Sequence, residues 1–298
     1  MPELPEVETI RLALEPHLVG RRLERVEIHD PRLVRPFEPH AIAAELEGER
    51  VGALERRGKY LIVRFESGRA LLIHLRMTGS VRHAAPGTLA EDPYRRAVAR
   101  LDDGSDVAYR DVRRFGTWQL LEPAELDPYL AARLGREPLE RSFTSRRLAE
   151  GLEGRRAPVK AALLDQRTVA GLGNIYVDEA LWRARIHPLR SAGSLDPDEI
   201  ARLTRGIRDA LRAGIARQGA SLRDYSTPDG GRGRMQEEFR VYDRAGEPCP
   251  RCGTPIDKIR AGGRGTWYCP ACQRLEGSTY AARRSSRPPS RSSRQSSV

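Results

Sequence analysis

The sequence has no run of eighteen apolar residues and no leader pattern at its start, so neither a membrane-spanning helix nor a secretory signal is expected. Cysteine is scarce, with four in 298 residues. Without secretion signals these four are not expected to form disulfides. Acid is short as well: 41 Asp+Glu stand against 52 Lys+Arg, a net charge of +11 and a pI near 10.0. That imbalance favours a polyanionic partner over a small acidic metabolite, nucleic acid before a membrane surface. The last eighteen residues, 281–298, hold five arginines, no acid and little that is apolar. They cannot bury enough surface to offset their ordering entropy and are expected to be a disordered Ser/Arg-rich tail. Removing those five charges takes the remainder from +11 to +6, so the folded part is itself basic.

What is present divides the chain. Pro5 in a first turn, apolar Val7, Ile10, Leu14 and Leu18 at helical spacing, and Gly20 at the stop predict an opening helix. Short β patterns follow near 23–28, 59–66, 69–76, 98–101, 106–109 and 118–121, broken by Glu66-Ser67-Gly68 and Asp102-Asp103-Gly104-Ser105. From about residue 143 the period becomes helical, with Ser145 as an N-cap and helices near 145–165, 175–185 and 197–218. Pro123, Pro128, Gly135 and Pro138 interrupt both periodicities and mark the boundary.

All four cysteines fall in Cys249-Pro-Arg-Cys252 and, sixteen residues on, Cys269-Pro-Ala-Cys272. Two thiolate pairs at this separation suit one closed, structural tetrahedral zinc. Between them, two short strand patterns flank Ala261-Gly-Gly-Arg-Gly265, which places Arg264 in or beside a hairpin loop, where it can meet a phosphate or remain solvated.

The first residues are Met1-Pro2-Glu3. With Met1 trimmed, Pro2 presents a secondary amine whose pKa, near ~8 for an α-amine, leaves a useful unprotonated fraction at neutral pH. Glu3 sets a carboxylate beside it. Read alone, Pro2 merely permits methionine removal and Glu3 favours a helix N-terminus. Four other stretches change that weighing: Arg57-Gly58-Lys59-Tyr60-Leu61, His74-Leu75-Arg76-Met77-Thr78-Gly79, Asp111-Val112-Arg113-Arg114-Phe115-Gly116, and Asp165 through Tyr176, which contains Gly171-Leu-Gly-Asn174. The last lacks the third glycine of a dinucleotide loop and lies between helices, so a Rossmann reading is set aside.

Together, and in this order, these motifs resemble the formamidopyrimidine-DNA glycosylase and endonuclease VIII family to about residue 280, the PELPEVET opening being the most specific. The resemblance implies an α+β fold: an N-terminal β-sandwich flanked by helices over 1–135, a helix-two-turns-helix domain over 136–240, a four-cysteine zinc finger over 241–280 with zinc on Cys249, Cys252, Cys269 and Cys272, and the tail. It implies a monomer acting in the bacterial cytoplasm and nucleoid on double-stranded DNA that carries oxidised bases or abasic sites. Pro2 is then the nucleophile, Glu3 the acid/base and Lys59 a cation at the same site. Lys160, Asn174 and Arg264 contact backbone phosphates. Met77, Arg113 and Phe115 fill the gap left by an extruded base and face its orphaned partner. Residues 221–236 form a lid with Ser221, Arg223, Tyr225 and Met235 near the base, and Gly230, Gly231 and Gly233 supplying its flexibility.

The activity so implied is removal of oxidised purines followed by two eliminations at the sugar. The same chemistry on oxidised pyrimidines or abasic sites alone, and a non-catalytic damaged-DNA-binding protein, are the alternatives. A ribosomal or transcriptional zinc ribbon explains charge and zinc but neither the wedge residues nor the opening motif. The wedge residues are split between two stretches, which leans toward purines. One departure is Tyr94-Arg95-Arg96, where many relatives carry His-Asp-His; arginine can still meet a phosphate. A second is Met235, where aromatics are common in the lid.

Overall fold

A computed structural model of the chain describes residues 1–222 and 225–275. The Ser/Arg tail and Arg223 lie outside the described residues.

Helix α1 (Leu4–Leu18) opens as its sequence predicts, with Pro5 in the first turn and the Glu6 carboxylate accepting the Glu3 N–H at 2.8 Å. Val7, Ile10, Leu14 and Leu18 enter one core, while Leu4 enters another. The helix therefore joins two bodies.

The first body is a sandwich of two antiparallel sheets. One has the order β1 (Leu23–Ile28), β6 (Arg95–Leu101), β7 (Asp106–Asp111), β5 (Gly79–Ala84); the other runs β2 (Val51–Arg57), β3 (Tyr60–Phe65), β4 (Ala70–His74), β8 (Thr117–Leu121). Period-two alternation sends Leu61, Val63 and Phe65 of β3 into the sandwich. Ile62 turns the other way, with Ala70 and Leu72, onto Leu126 and Leu130 of helix α3 (Leu126–Ala131). Both faces of this sheet are covered, which is why its strands read as unbroken apolar runs. Helix α2 (Pro39–Leu46), β2, β5 and α3 were not expected from sequence.

The second body is helical: α4 (Ser145–Leu152), α5 (Val159–Leu164), α6 (Asn174–Ala184) and α7 (Pro197–Ala216). The single helix expected near 145–165 is two, divided by Gly154 in the left-handed region (φ 68°) and by Pro158. The N-cap is Thr144, whose hydroxyl accepts the Arg147 N–H at 3.3 Å, and not Ser145, which is already helical. Helix α6 is buried nearly all round, packed against α7, α5 and the last hairpin. That hairpin, β9 (Asp257–Ala261) and β10 (Arg264–Tyr268), carries Trp267 into a small core with Val241, Ile256 and Trp182. No described helix is long and apolar enough to cross a membrane.

Candidate functional site

Pro2 and Glu3 are buried where α1 meets the helical body. The Leu4 N–H donates to the Gly171 carbonyl at 3.0 Å, and the Glu3 carboxylate accepts the Ile175 N–H at 3.0 Å and the Tyr176 N–H at 3.4 Å, in the first turn of α6. An acid at a helix N-terminus satisfies donors that the helix itself cannot. The approach is possible only because of glycine. A Cβ on Gly173 would lie 2.3 Å from Glu3 Cδ, and one on Gly171 (φ 85°) 2.6 Å from Leu4 Cδ1. The Gly171-Leu-Gly-Asn174 stretch is thus a cradle for the start of the chain.

Glu6 lies one turn deeper. The Tyr176 hydroxyl at 2.7 Å and the Ala220 N–H at 2.8 Å donate to one of its oxygens, and the Glu3 N–H to the other. Burial, then the nearby Glu3 charge, pushes its carboxyl above the usual range, against the pull of those three donors.

Lys59 sits in the β2–β3 turn, 7% exposed. Burial lowers its pKa; the Glu3 and Glu6 charges oppose that and Arg264 adds to it. Such a lysine gives up its proton more readily than an exposed one, and these named neighbours place it at the same junction as Glu3. The turn itself is held by Glu137, which accepts the Gly58 N–H and pairs with Arg56 at 2.9 Å and Arg57 at 3.0 Å.

Lys160 is wholly enclosed, its ammonium 2.7 Å from Asp178 Oδ1 and 3.0 Å from the Gly265 carbonyl, on which Asn174 Nδ2 also donates at 3.0 Å. Lys160, expected at a backbone phosphate, is enclosed here and with Asn174 clamps the zinc hairpin beside Arg264. Burial pushes the Asp178 carboxyl up to about 7 against the pull of Lys160. Arg264 itself is exposed at the start of β10.

Met77 lies half-buried in the turn between β4 and β5, and Arg113 and Phe115 are exposed in the β7–β8 loop. Phe115 is 51% exposed, with the Arg113 guanidinium 4.8 Å from its ring centroid. An aromatic so placed is not core. Arg96, of the departing Tyr94–Arg96 stretch, donates to the Asp111 carbonyl at 2.9 Å, and Tyr94 stacks under Arg110 at 4.9 Å.

The lid residues behave otherwise than expected. Met235, expected near the base, is 0% exposed and packs in the helical core. Ser221 and Tyr225 are buried too: the Ser221 hydroxyl accepts the Gly233 N–H at 3.0 Å, and the Tyr225 hydroxyl donates to the Gln218 carbonyl at 3.1 Å. They anchor the segment, in which residues 229–232 form one exposed run.

The four cysteine Sγ atoms lie within 4.8 Å of one another, with Cys252 3.5 Å from Cys269 and 3.4 Å from Cys272. A tetrahedral zinc with bonds of about 2.3 Å needs sulfurs roughly 3.8 Å apart. N–H groups of Trp182, Arg251 and Cys272 point at Cys249 and Cys269 sulfurs at 3.4–3.5 Å, as thiolates require. The residues fit one structural zinc.

A β-sandwich, a helical body and a cysteine-pinned hairpin, with the chain's start caught at their junction, define a two-domain, zinc-finger DNA glycosylase fold. The comparisons agree. The chain matches the formamidopyrimidine-DNA glycosylase N-terminal domain over residues 1–118, the H2TH domain of that enzyme over 134–226, and the zinc finger found in FPG and IleRS over 246–275. A formamidopyrimidine-DNA glycosylase of Symbiobacterium thermophilum is 50% identical over 289 residues, covering 95% of this chain and 93% of that protein. Among solved structures, a Lactococcus lactis FPG mutant bound to Fapy-dG-containing DNA superposes with TM-score 0.86 at 40% identity, covering 92% of this chain and 100% of that one. MutM bound to carbocyclic 8-oxo-G DNA gives 0.85 at 40% identity, with the same coverage. The chain belongs to the formamidopyrimidine-DNA glycosylase family.

Sequence reasoning missed Glu6, Glu137, Asp178 and Glu179, the last accepting three successive N–H groups of residues 240–242 at 2.8–3.2 Å. Each looks like an ordinary surface acid until its distant partners are known.

Proposed function

We propose that this protein is a bifunctional base-excision-repair enzyme that removes oxidised purines, 8-oxoguanine and formamidopyrimidines, from duplex DNA and then cleaves the strand. It works as a monomer on nucleoid DNA in the bacterial cytoplasm. The observation that carries this reading is the cradle at Gly171–Asn174, which holds Glu3 against the first turn of α6 beside the buried Pro2, with Lys59 and Arg264 near enough to act on one another electrostatically. The relatives' complexes with Fapy-dG and 8-oxo-G DNA support the substrate class, as does the placing of Met77 and Arg113/Phe115 on two loops.

With Met1 removed, the Pro2 amine bonds to the sugar C1′ of an extruded nucleotide, the bond from C1′ to the base breaks, and the proton the amine gives up passes to the departing base. Glu3 supplies a proton to the sugar ring oxygen as the ring opens, leaving a cationic Schiff base on Pro2. That electron sink acidifies the C2′ hydrogen; its loss expels the 3′ phosphate, and a second elimination expels the 5′ phosphate. Lys59 stabilises charge developing beside Glu3, and Arg264 holds a phosphate. The zinc takes no part beyond fixing the hairpin.

Borohydride trapping tests this reading on duplexes containing 8-oxoguanine opposite cytosine, thymine glycol, or an abasic site. A covalent adduct mapped by mass spectrometry to Pro2 on the 8-oxoguanine duplex is expected. Trapping on thymine glycol alone or abasic DNA alone would keep the chemistry and overturn the purine assignment. No adduct on any duplex, with Met1 shown to be absent, would point to a non-catalytic binder.

A further inference from the structure

The turn bearing Met77 and the loop bearing Arg113 and Phe115 belong to different hairpins, yet one buried side chain ties them. Asp111, the last residue of β7, is 1% exposed. Its Oδ1 accepts the Thr78 hydroxyl, next to Met77, and the Arg113 N–H at 3.2 Å; the same N–H also reaches Thr78 Oγ1 at 3.0 Å. Its Oδ2 accepts the Gly116 N–H at 2.8 Å, at the far end of the loop. One carboxylate thus brackets residues 113–116 and fastens them to residue 78.

The backbone of Asp111 is fixed as well. Its N–H donates to the Tyr94 carbonyl at 3.0 Å, its carbonyl accepts Arg96 Nε, and it pairs across the sheet with Gly79. Both loops also seat on Tyr109: a Cβ on Gly116 would lie 1.7 Å from its hydroxyl oxygen, and one on Gly79 2.6 Å. Burying a carboxylate is costly unless its lone pairs are filled. All three donors here are neutral and all come from the two loops, so the arrangement serves their relative position. A Ser, Thr or Asn could end a β-strand as well.

We propose that Asp111 is a positioning residue that locks the Met77 turn and the Arg113–Phe115 loop into one unit, so that the three side chains enter the base stack together. The inference rests on the proposed function. The Tyr94–Arg96 stretch acts in the same device from behind, holding the Asp111 backbone by two hydrogen bonds. What Asp111 controls is the opening of the duplex, and not the chemistry at Pro2.

The test separates those two steps. Asp111→Asn keeps the shape but offers one acceptor oxygen and turns an amide donor toward N–H or hydroxyl groups. On duplex DNA with 8-oxoguanine, kcat/KM should fall about 10- to 100-fold, as expected when a binding group is displaced by about an ångström. Borohydride trapping on a single-stranded abasic oligonucleotide, which has no stack to open, should stay near the wild-type level. A 2-aminopurine beside the lesion should brighten in the wild type and stay quenched in the variant. Thr78→Ser should retain duplex activity and Thr78→Val lose it, and Asp111→Asn with Thr78→Val should cost no more than Asp111→Asn alone, since both act through one cluster. Equal losses on duplex and single strand, additive losses in the double variant, or an unchanged kcat/KM would each overturn the proposal. Failure of the wild type to trap on any DNA would instead sink the functional reading beneath it.

Discussion

Inside the sandwich, Leu54, Leu61, Val63, Leu71 and Ile73 meet Val26, Ala97, Leu101 and Tyr109 across an apolar interior. At the junction beneath α1, Glu3, Glu6, Lys59, Glu137, Lys160 and Asp178 are all less than 9% exposed. The two regions are equally closed to water but held by opposite means. Apolar burial contributes roughly 1.5–3 kcal/mol per large side chain whatever apolar neighbour it meets, so the sandwich tolerates swaps between apolar side chains of equal volume. Buried charge stabilises nothing until each oxygen and ammonium has its partner, so the junction admits one arrangement. The region with the strictest geometry is where Pro2 is held.

The largest expected break in that comparison is chemical. Glu3→Gln leaves an acceptor for the Ile175 N–H and should keep the fold, yet lose about 10²–10⁴ in single-turnover base release if Glu3 moves the proton. Rapid-quench assays on an 8-oxoguanine duplex, alongside a melting curve, check it; a rate near wild type would reduce Glu3 to a helix cap. Lys160→Met should come next, destabilising the protein by about 3–5 kcal/mol in urea unfolding because Asp178 is left buried without its counter-charge, keeping only the Trp267 N–H at 3.1 Å. Adding Asp178→Asn, which keeps an acceptor for the Trp267 N–H, should recover most of that stability without recovering affinity for DNA, since Gly265 and Arg264 lose their clamp. Recovery of both would show that the pair is structural only.

These variants also mark what could be read in advance. The four cysteines were legible because their chemistry is local, two pairs at fixed spacing that the fold brings together. Strand β5 was not, because it opens Gly79-Ser80 and is made a strand by pairing with β7. Helix α2 has only eight residues and too short a period to register. The glycines at 171 and 173 had no visible reason until Glu3, far earlier in the chain, was seen to occupy the space their side chains would fill. Lys160 was expected at a backbone phosphate and Met235 in the lid, and the fold buries both. Residue type tells what a group can do; only packing tells whether water reaches it.

On the apolar side, Leu61→Ala removes a side chain that is 1% exposed and should cost about 2–5 kcal/mol in urea unfolding. The expected contrast is that the remaining folded protein releases base at the wild-type rate. A slowed rate in that folded fraction would mean the sandwich transmits strain into the junction and that the two regions are not separable.

The smallest effect at neutral pH lies where the regions meet. His74, at the end of β4, packs edge-on against Tyr60 at 4.8 Å, and its Nδ1 accepts the Arg76 N–H at 3.0 Å. Burial, then Arg76 and Lys59, lowers its pKa from 6.5 to about 3. The folded state thus binds this proton less tightly than the unfolded chain. The stability held by neutral His74 is complete above pH 6.5 and is lost progressively as pH falls toward 3. His74→Asn keeps an acceptor for Arg76, so at pH 7.5 it should differ from wild type by no more than about 1 kcal/mol. At pH 5 the variant should have gained roughly 2 kcal/mol on the wild type, because asparagine has no proton to take up. Urea unfolding of both proteins at the two pH values, with zinc held constant, reads the difference directly, and other titrating groups cancel. Parallel stability curves down to pH 5 would mean His74 is charged in the fold, and that the cations of the junction do not govern the edge of the sheet beside it.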